Sequence, residues 1–163
     1  MKTKDIALIG FLSAILFVSQ LALAFLPNIE VVSLLVIIYT LVFKRKVFFI
    51  IYVFAILEGI FYGFGTWWIM YLYVWTILAL FTLWFQKNKS HVFWSLISAL
   101  YGLSFGALCA IPYFFIGGWS MGAAFWVSGI PFDIIHCIGN FAVTLILFKP
   151  TLAILRYLNN KYI

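Results

Sequence analysis

The chain of 163 residues is 67% hydrophobic and 9% charged, with a mean hydropathy of +1.19. A water-soluble domain of this size needs many more charges to stay dispersed, so that class is excluded. At roughly 20 apolar residues per bilayer crossing, the length allows about six spans and leaves no room for a nucleotide-hydrolysing domain. The sequence therefore predicts a small all-α integral membrane protein with six transmembrane helices.

Ten Lys and Arg against four Asp and Glu give a net charge of +6, which in a soluble protein would suggest a nucleic-acid partner. Here every basic residue lies between apolar runs or at a chain end, and none interleaves with aromatics on a polar face. Nucleic acid is therefore not an expected partner. Cys109 and Cys137 both fall inside apolar segments. They read as buried small hydrophobes rather than as a disulfide framework or a metal site.

In chain order, the first apolar run covers 6–26 and stops at Pro27, Asn28 and Glu30. A shorter run over 31–43 ends at Lys44, Arg45 and Lys46, and a third covers 47–63. A turn around Gly63, Gly65 and Thr66 leads to the fourth run, 67–85, which a polar loop, Gln86 to His91, separates from the fifth, 92–115. Gly117 and Gly118 end that run. Gly129 and Pro131 interrupt the next, and because proline favours the first turn of a helix, the last span is predicted over 131–148. Residues 117–130 then form a long, aromatic outer segment, with a partly helical form left open. Leu152, Leu155 and Leu158 recur with helical spacing beside Arg156 and Lys161, which predicts a short interfacial tail over 151–163. The whole chain reads as one domain.

Six spans put both termini on one side, and under this count Lys2, Lys4, Lys44, Arg45, Lys46, Lys87, Lys89, Lys149, Arg156 and Lys161 all fall on that side. The positive-inside rule makes it the cytoplasmic one. Lys2 and Lys4, the following apolar stretch and Ala22-Leu23-Ala24 also resemble a secretory signal. The stretch is longer than the roughly 7 to 15 residues of a signal core, so it is expected to remain as a span.

Ionisable groups inside a bilayer cost several kcal/mol and are a functional hypothesis by default. Glu58 lies in the third span, Asp133 and His136 lie in the sixth, and neutral Gln20 and Asn140 accompany them. Asp133, His136 and Asn140 follow the spacing i, i+3, i+7, which aligns them on one helical face. Taken singly, Asp133 also reads as a first-turn cap and His136 as a hydrogen bond between helices, and a proton relay through Glu58 and His136 is a further reading. In the fourth span Trp68, Tyr71 and Trp75 share a face. Trp67 and Trp68 also fit an interfacial aromatic belt, whereas Trp75 is about 12 Å below it. Flat rings beside carboxylates and an imidazole suit a planar, nitrogen-bearing ring. Asn28 and Glu30, with the outer segment around Trp119 and Trp126, are the other candidate ligand contacts.

No Lys or Arg falls on the outer side, which disfavours anionic substrates. The HExxH, GxSxG and Walker patterns are missing, and so is any convincing nucleophile and base, so neither enzyme chemistry nor a metal or cofactor is expected. Ala7, Gly10 and Ala14 place small side chains on one face of the first span, and Gly102, Gly106 and Ala110 do so in the fifth. Such faces let helices approach closely.

Together these residues resemble the substrate-binding S-components of energy-coupling factor (ECF) vitamin transporters, over nearly the whole chain. The most specific stretch is Gly129-Ile130-Pro131-Phe132-Asp133-Ile134-Ile135-His136-Cys137-Ile138-Gly139-Asn140, beside Leu26-Pro27-Asn28-Ile29-Glu30 after the first span. The resemblance implies a high-affinity binder in a bacterial or archaeal cell membrane, without transport power of its own. Its partners would be a transmembrane coupling subunit and two ATPase subunits that supply ATP hydrolysis. It also implies that the ligand is a vitamin held near the outer face by the last three helices and the outer loops. The first-helix face of Ala7, Gly10 and Ala14 would dock the coupling subunit, with Gly10 in place of the first alanine of the family's pattern. The residues suit a neutral or cationic aromatic heterocycle such as a pyridoxine-type vitamer, hydroxymethylpyrimidine or thiamine; cobalamin and a queuosine precursor also stay open. Two other classes remain at this stage: a stand-alone proton-coupled transporter or channel, and a structural membrane subunit without a ligand.

Overall fold

A computed structural model describes residues 3–162. Lys2, one of the basic residues assigned to the cytoplasmic side, and Ile163 of the expected tail lie outside the described residues. The described chain is helical throughout: α1 (Thr3–Leu23), α2 (Val32–Phe43), a 3-10 turn (Lys44–Lys46), α3 (Val47–Tyr62), α4 (Thr66–Trp84) and α5 (His91–Tyr162). At Gly117 and Gly118 the backbone leaves the helical region, Gly118 with φ +70°, and this divides α5 into arms over 91–116 and 119–162.

The core is apolar, as in a water-soluble bundle, but the exterior is apolar too and several polar side chains are buried. Ser13, Ser33, Thr40, Glu58, Thr82, Ser95, Ser98, Asp133, His136, Asn140 and Thr144 are buried, while Phe115, Trp84 and Trp119 are 86%, 81% and 80% exposed. Ser13, Thr40, Thr82 and Ser95 donate their hydroxyls to helix carbonyls, as where Thr40 Oγ1 donates to Val36 O at 2.6 Å. The centre is α2, whose Val32, Val36, Ile37 and Ile38 have no measurable exposure. It packs against α4 and α5, and α3 packs against α1 and α4.

Three helices, α1, α4 and α5, are long and apolar enough to cross a membrane. The expectation of six spans is thus met in its helical character but not in six helices of spanning length. At 12 and 16 residues, α2 and α3 extend about 18 and 24 Å, short of a hydrocarbon core of about 30 Å.

Two boundaries need correction. The last helix does not begin at Pro131: the second arm starts at 119, so the expected outer segment is helical over 119–130 and broken at Gly117 and Gly118. Nor does it stop at Phe148 before a separate tail, since Pro150 lies inside the helix and the helix continues to Tyr162. At Pro131 the local proline preference is outweighed by the packing of one arm on the other. Tyr113 stacks on Phe125 with centroids 4.2 Å apart, and Trp94 stacks on Phe148, so the arms run antiparallel along most of their shared length. Their closest crossing is set by glycine. A Cβ on Gly102 would lie 2.9 Å from the carbonyl carbon and oxygen of His136, and one on Gly106 would collide with the Asp133 carboxylate. This small-residue face therefore packs internally.

The basic segments gather at one end of the bundle. Lys46 Nζ donates to Asp5 Oδ1 at 2.7 Å, which joins the start of α1 to the 3-10 turn. The tight turn after Gly63 (φ +84°) sends α4 back antiparallel to α3, towards that end. The opposite end holds the α1–α2 connection and the α3–α4 turn.

Gly102→Val tests the arm crossing. Overpacking against backbone typically costs about 1–3 kcal/mol, and thermal unfolding of the purified variant should register a loss of that size. Unchanged stability would show that the arms separate at Gly102.

Candidate functional site

The connection from α1 to α2 cannot continue either helix, because Pro27 has no amide proton to donate and Asn28 has φ +57°, a left-handed conformation that asparagine tolerates. The segment folds over the end of the bundle. There Glu30 makes two bonds: Oε2 accepts from the Ser33 amide at 2.8 Å, and Oε1 is 3.2 Å from His136 Nε2 in the second arm of α5. The first satisfies one of the free donors of the opening turn of α2. The second ties the connection to a helix 106 positions away. Burial alone would push the Glu30 carboxyl up, but the His136 ring and the Ser33 hydrogen bonds outweigh it and hold the carboxyl below its ordinary value.

Behind this pair lies a cavity of about 230 Å³ lined by Gln20, Leu26, Pro27, Asn28, Glu30, Tyr62, Tyr71, Trp75, Phe105 and His136, among others. A larger void of about 320 Å³ between α4 and the first arm, around Ile77, Phe81 and Leu100, is almost wholly apolar. Its only polar side chains are Tyr101 and Ser104, and no charged group lines it, so the site is placed at the smaller, polar cavity on chemical grounds. The walls are aromatic. Trp75 packs 5.7 Å from Tyr71 and 5.8 Å from Phe105, and Phe105 meets the His136 ring edge-on at 5.1 Å. Trp75 Nε1 is buried without a hydrogen-bond partner, as is the Tyr101 hydroxyl in the ring that packs 5.9 Å from Trp75. Gln20 Nε2 donates to Tyr71 Oη at 2.8 Å and lies 3.2 Å from Glu58 Oε2. The cavity thus offers a carboxylate, an imidazole and an amide among flat rings, and no Lys or Arg lines it.

The structure brings together only part of the expected set. Tyr71, Trp75, His136, Asn28 and Glu30 line the one cavity. Glu58 borders an adjoining space through Gln20 and Tyr71. Asp133, His136 and Asn140 do share one buried face of the second arm, yet only His136 reaches the cavity. Asp133 is no first-turn cap, because its helix begins at 119; its Oδ1 accepts from the Gly106 amide at 2.9 Å and joins the two arms. Asn140 Nδ2 reaches Ser33 Oγ at 3.2 Å and Ser98 O at 3.3 Å, a tie between helices. Trp68 points away from the cavity and donates Nε1–H to Ala55 O at 2.8 Å. It crosses α3 where Gly59 has no side chain, 2.9 Å from where a Cβ would stand.

Tyr62 and Phe105 were not singled out from the sequence. Each is one aromatic among many on an apolar run, and only the fold distinguishes them. Gln20 carried a weak signal, as a polar side chain within the first apolar run. Ala7, Gly10 and Ala14 are all exposed, and a Cβ on Gly10 would meet nothing within 4 Å. Comparison of the chain with protein-family models, curated proteins and solved structures finds no match.

A pH titration checks the Glu30 pair. Because its folded value lies below the ordinary glutamate value of about 4.3, Glu30 contributes stability that is fully present above that pH and is lost as pH falls through the folded value. The stability difference between wild type and Glu30→Gln should therefore be largest near neutrality and shrink on the acid side of about pH 4.3. A difference that is constant with pH would show that the carboxylate charge contributes nothing.

Proposed function

We propose that this chain is the substrate-binding component of an ECF-type transporter, a six-span membrane protein with cytoplasmic termini that captures a small water-soluble vitamin or precursor with an aromatic heterocycle. The observation that carries the reading is the buried Glu30–His136 pair set with Tyr71 and Trp75 around one cavity. An imidazole and a carboxylate can exchange hydrogen bonds with ring nitrogens and hydroxyls, while Trp75 and Tyr71 supply flat apolar walls. The absence of Lys and Arg from the lining favours neutral or cationic ligands over anions. A volume of about 230 Å³ is below the roughly 300–1,000 Å³ of sites for drug-sized ligands. That favours a single ring, of the pyridoxine or hydroxymethylpyrimidine kind, over cobalamin.

The apolar exterior supports the membrane assignment, because exposed surface of this extent is stable only against lipid or another protein. The gathering of Lys46 with the start of α1 supports a shared cytoplasmic end. The exposed face of Ala7, Gly10 and Ala14 is free to meet the coupling subunit, with which two ATPase subunits would supply the energy.

Capture is tested by titrating the purified protein with pyridoxine and following tryptophan fluorescence. His136→Gln should lower affinity about ten- to a hundredfold, as expected for loss of a hydrogen bond to a charged group, while the melting temperature is measured alongside. Unchanged affinity in a folded variant would place the ligand elsewhere.

Coupling is tested separately. Gly10→Leu or Ala14→Leu should leave binding by the isolated protein intact and reduce ATP-dependent uptake in vesicles that also hold the partner subunits, since the added side chain blocks close helix approach. Concentrative uptake by the isolated protein, driven by a proton gradient, would overturn the transport reading.

A further inference from the structure

Next to the capture cavity lies a second space, of about 290 Å³, bordered by Gln20, Glu58, Tyr62, Trp67 and Tyr71. Glu58 and Trp67 border this space and are absent from the lining of the first cavity, so it has its own chemistry. Glu58 is 1% exposed. Its Oε2 is met by Gln20 Nε2 at 3.2 Å, whereas its Oε1 has no hydrogen-bond partner. A carboxylate taken out of water normally finds a cation or several donors, because an uncompensated buried charge costs several kcal/mol. Gln20 supplies one donor, and its amide also serves Tyr71. No Lys, Arg or His borders the space.

The remaining walls are three rings, with Trp67 nearly perpendicular to each of the other two. Tyr62 and Trp67 have centroids 6.4 Å apart with planes at 87°, and Trp67 and Tyr71 are 5.3 Å apart at 90°. Rings that differ in orientation present both π faces and edges to one space, as in the aromatic sites by which proteins recognise alkylammonium groups. A single-ring belt at a membrane surface requires neither that arrangement nor a buried carboxylate.

We infer that Glu58, Tyr62, Trp67 and Tyr71 form a binding site for an alkylammonium group. Glu58 Oε1 supplies the counter-charge, and the three rings take the N-alkyl shell through cation–π contacts. Tyr71, Tyr62 and Gln20 also line the capture cavity, so the ammonium is either a free ion or the substituent of a captured ring. The inference stands apart from the uptake reading, because Glu58 and Trp67 serve only this space.

The test uses the full chain in detergent, with choline and its neutral isostere 3,3-dimethyl-1-butanol as probes and tryptophan fluorescence as the readout. Choline should bind at least about tenfold more tightly than the isostere, and Glu58→Gln should abolish that preference. Trp67→Leu, which leaves the Glu58–Gln20 contact in place, should lower choline affinity several-fold and guards against misfolding of the first variant. A second arm compares pyridoxamine with pyridoxine, which differ by one ammonium group. Tighter binding of pyridoxamine that disappears in Glu58→Gln supports the site and assigns the ammonium to a captured ring. Equal binding of that pair, with choline preference retained, supports the site for a free ion. Equal affinity for choline and its isostere, no saturable choline binding, or full choline preference in folded Glu58→Gln overturns the inference.

Discussion

The bond between Glu30 and His136 sets the position of everything around the candidate site. Glu30 belongs to the connection between α1 and α2, which has few backbone hydrogen bonds of its own, and His136 belongs to the longest helix in the chain. That contact is the bond that ties the connection to the second arm, while the other oxygen of the same carboxylate accepts from the Ser33 amide at the start of α2. One carboxylate therefore caps a helix, fixes a loop and forms one wall of a cavity. Two of those roles are structural, which explains how a charged group persists among so many apolar side chains.

The rest of the interior follows the same logic. In a chain with an apolar exterior, polar groups gain nothing by facing outwards, so they pair across helices instead. Asn140 joins the second arm of α5 to Ser33 and Ser98, Asp133 joins it to Gly106, and Trp68 joins α4 to α3 through Ala55. Each of these helices is held by a bond to backbone or to a small hydroxyl, and each bond requires close approach. Gly102, Gly106 and Gly59 provide it. Among the polar atoms that remain unpaired, Trp75 Nε1 and Glu58 Oε1 border the two adjoining cavities, whereas Ser98 Oγ, Tyr101 Oη, Asp133 Oδ2 and Thr144 Oγ1 are unpaired elsewhere in the bundle.

Periodicity made the helices legible in the sequence, together with the inward face of Asp133, His136 and Asn140, because spacing along one helix fixes which residues share a side. It did not tell which of the three meets open space. That depends on what lies opposite: Gly106 for Asp133, Glu30 for His136, Ser33 for Asn140. The same reason hid Trp68, whose ring bond depends on a gap at Gly59 in another helix. The helix limit failed at Pro131 because the packing of two long antiparallel arms outweighs a proline's local preference; past Pro150, Leu152 and Leu155 pack against the core. Buried amides freed by proline can be re-satisfied by neighbours in such a setting. Gly102, Gly106 and Ala110 in the fifth apolar run were legible as a close-packing face, though their partner was not.

A cavity that captures a solute needs a wall that opens, and the walls here are unequal. Tyr71 and Trp75 sit on α4, Phe105 and His136 on the two arms of α5, and moving any of these would disturb the buried core that α2 shares with both helices. The segment 24–30 is different. Its backbone makes only short-range bonds, such as Leu26 N to Leu23 O and Ile29 N to Leu26 O, and Phe25 is 76% exposed. Swinging it outwards breaks the Glu30–His136 contact and leaves every helix pairing intact. In the uptake proposed above, opening and ligand recognition would act on the same bond. A ligand that accepts a hydrogen bond from His136 competes with Glu30 for it, whereas one that engages both closes the segment over itself. Affinity and closure are then coupled through two side chains, with no rearrangement of the bundle required.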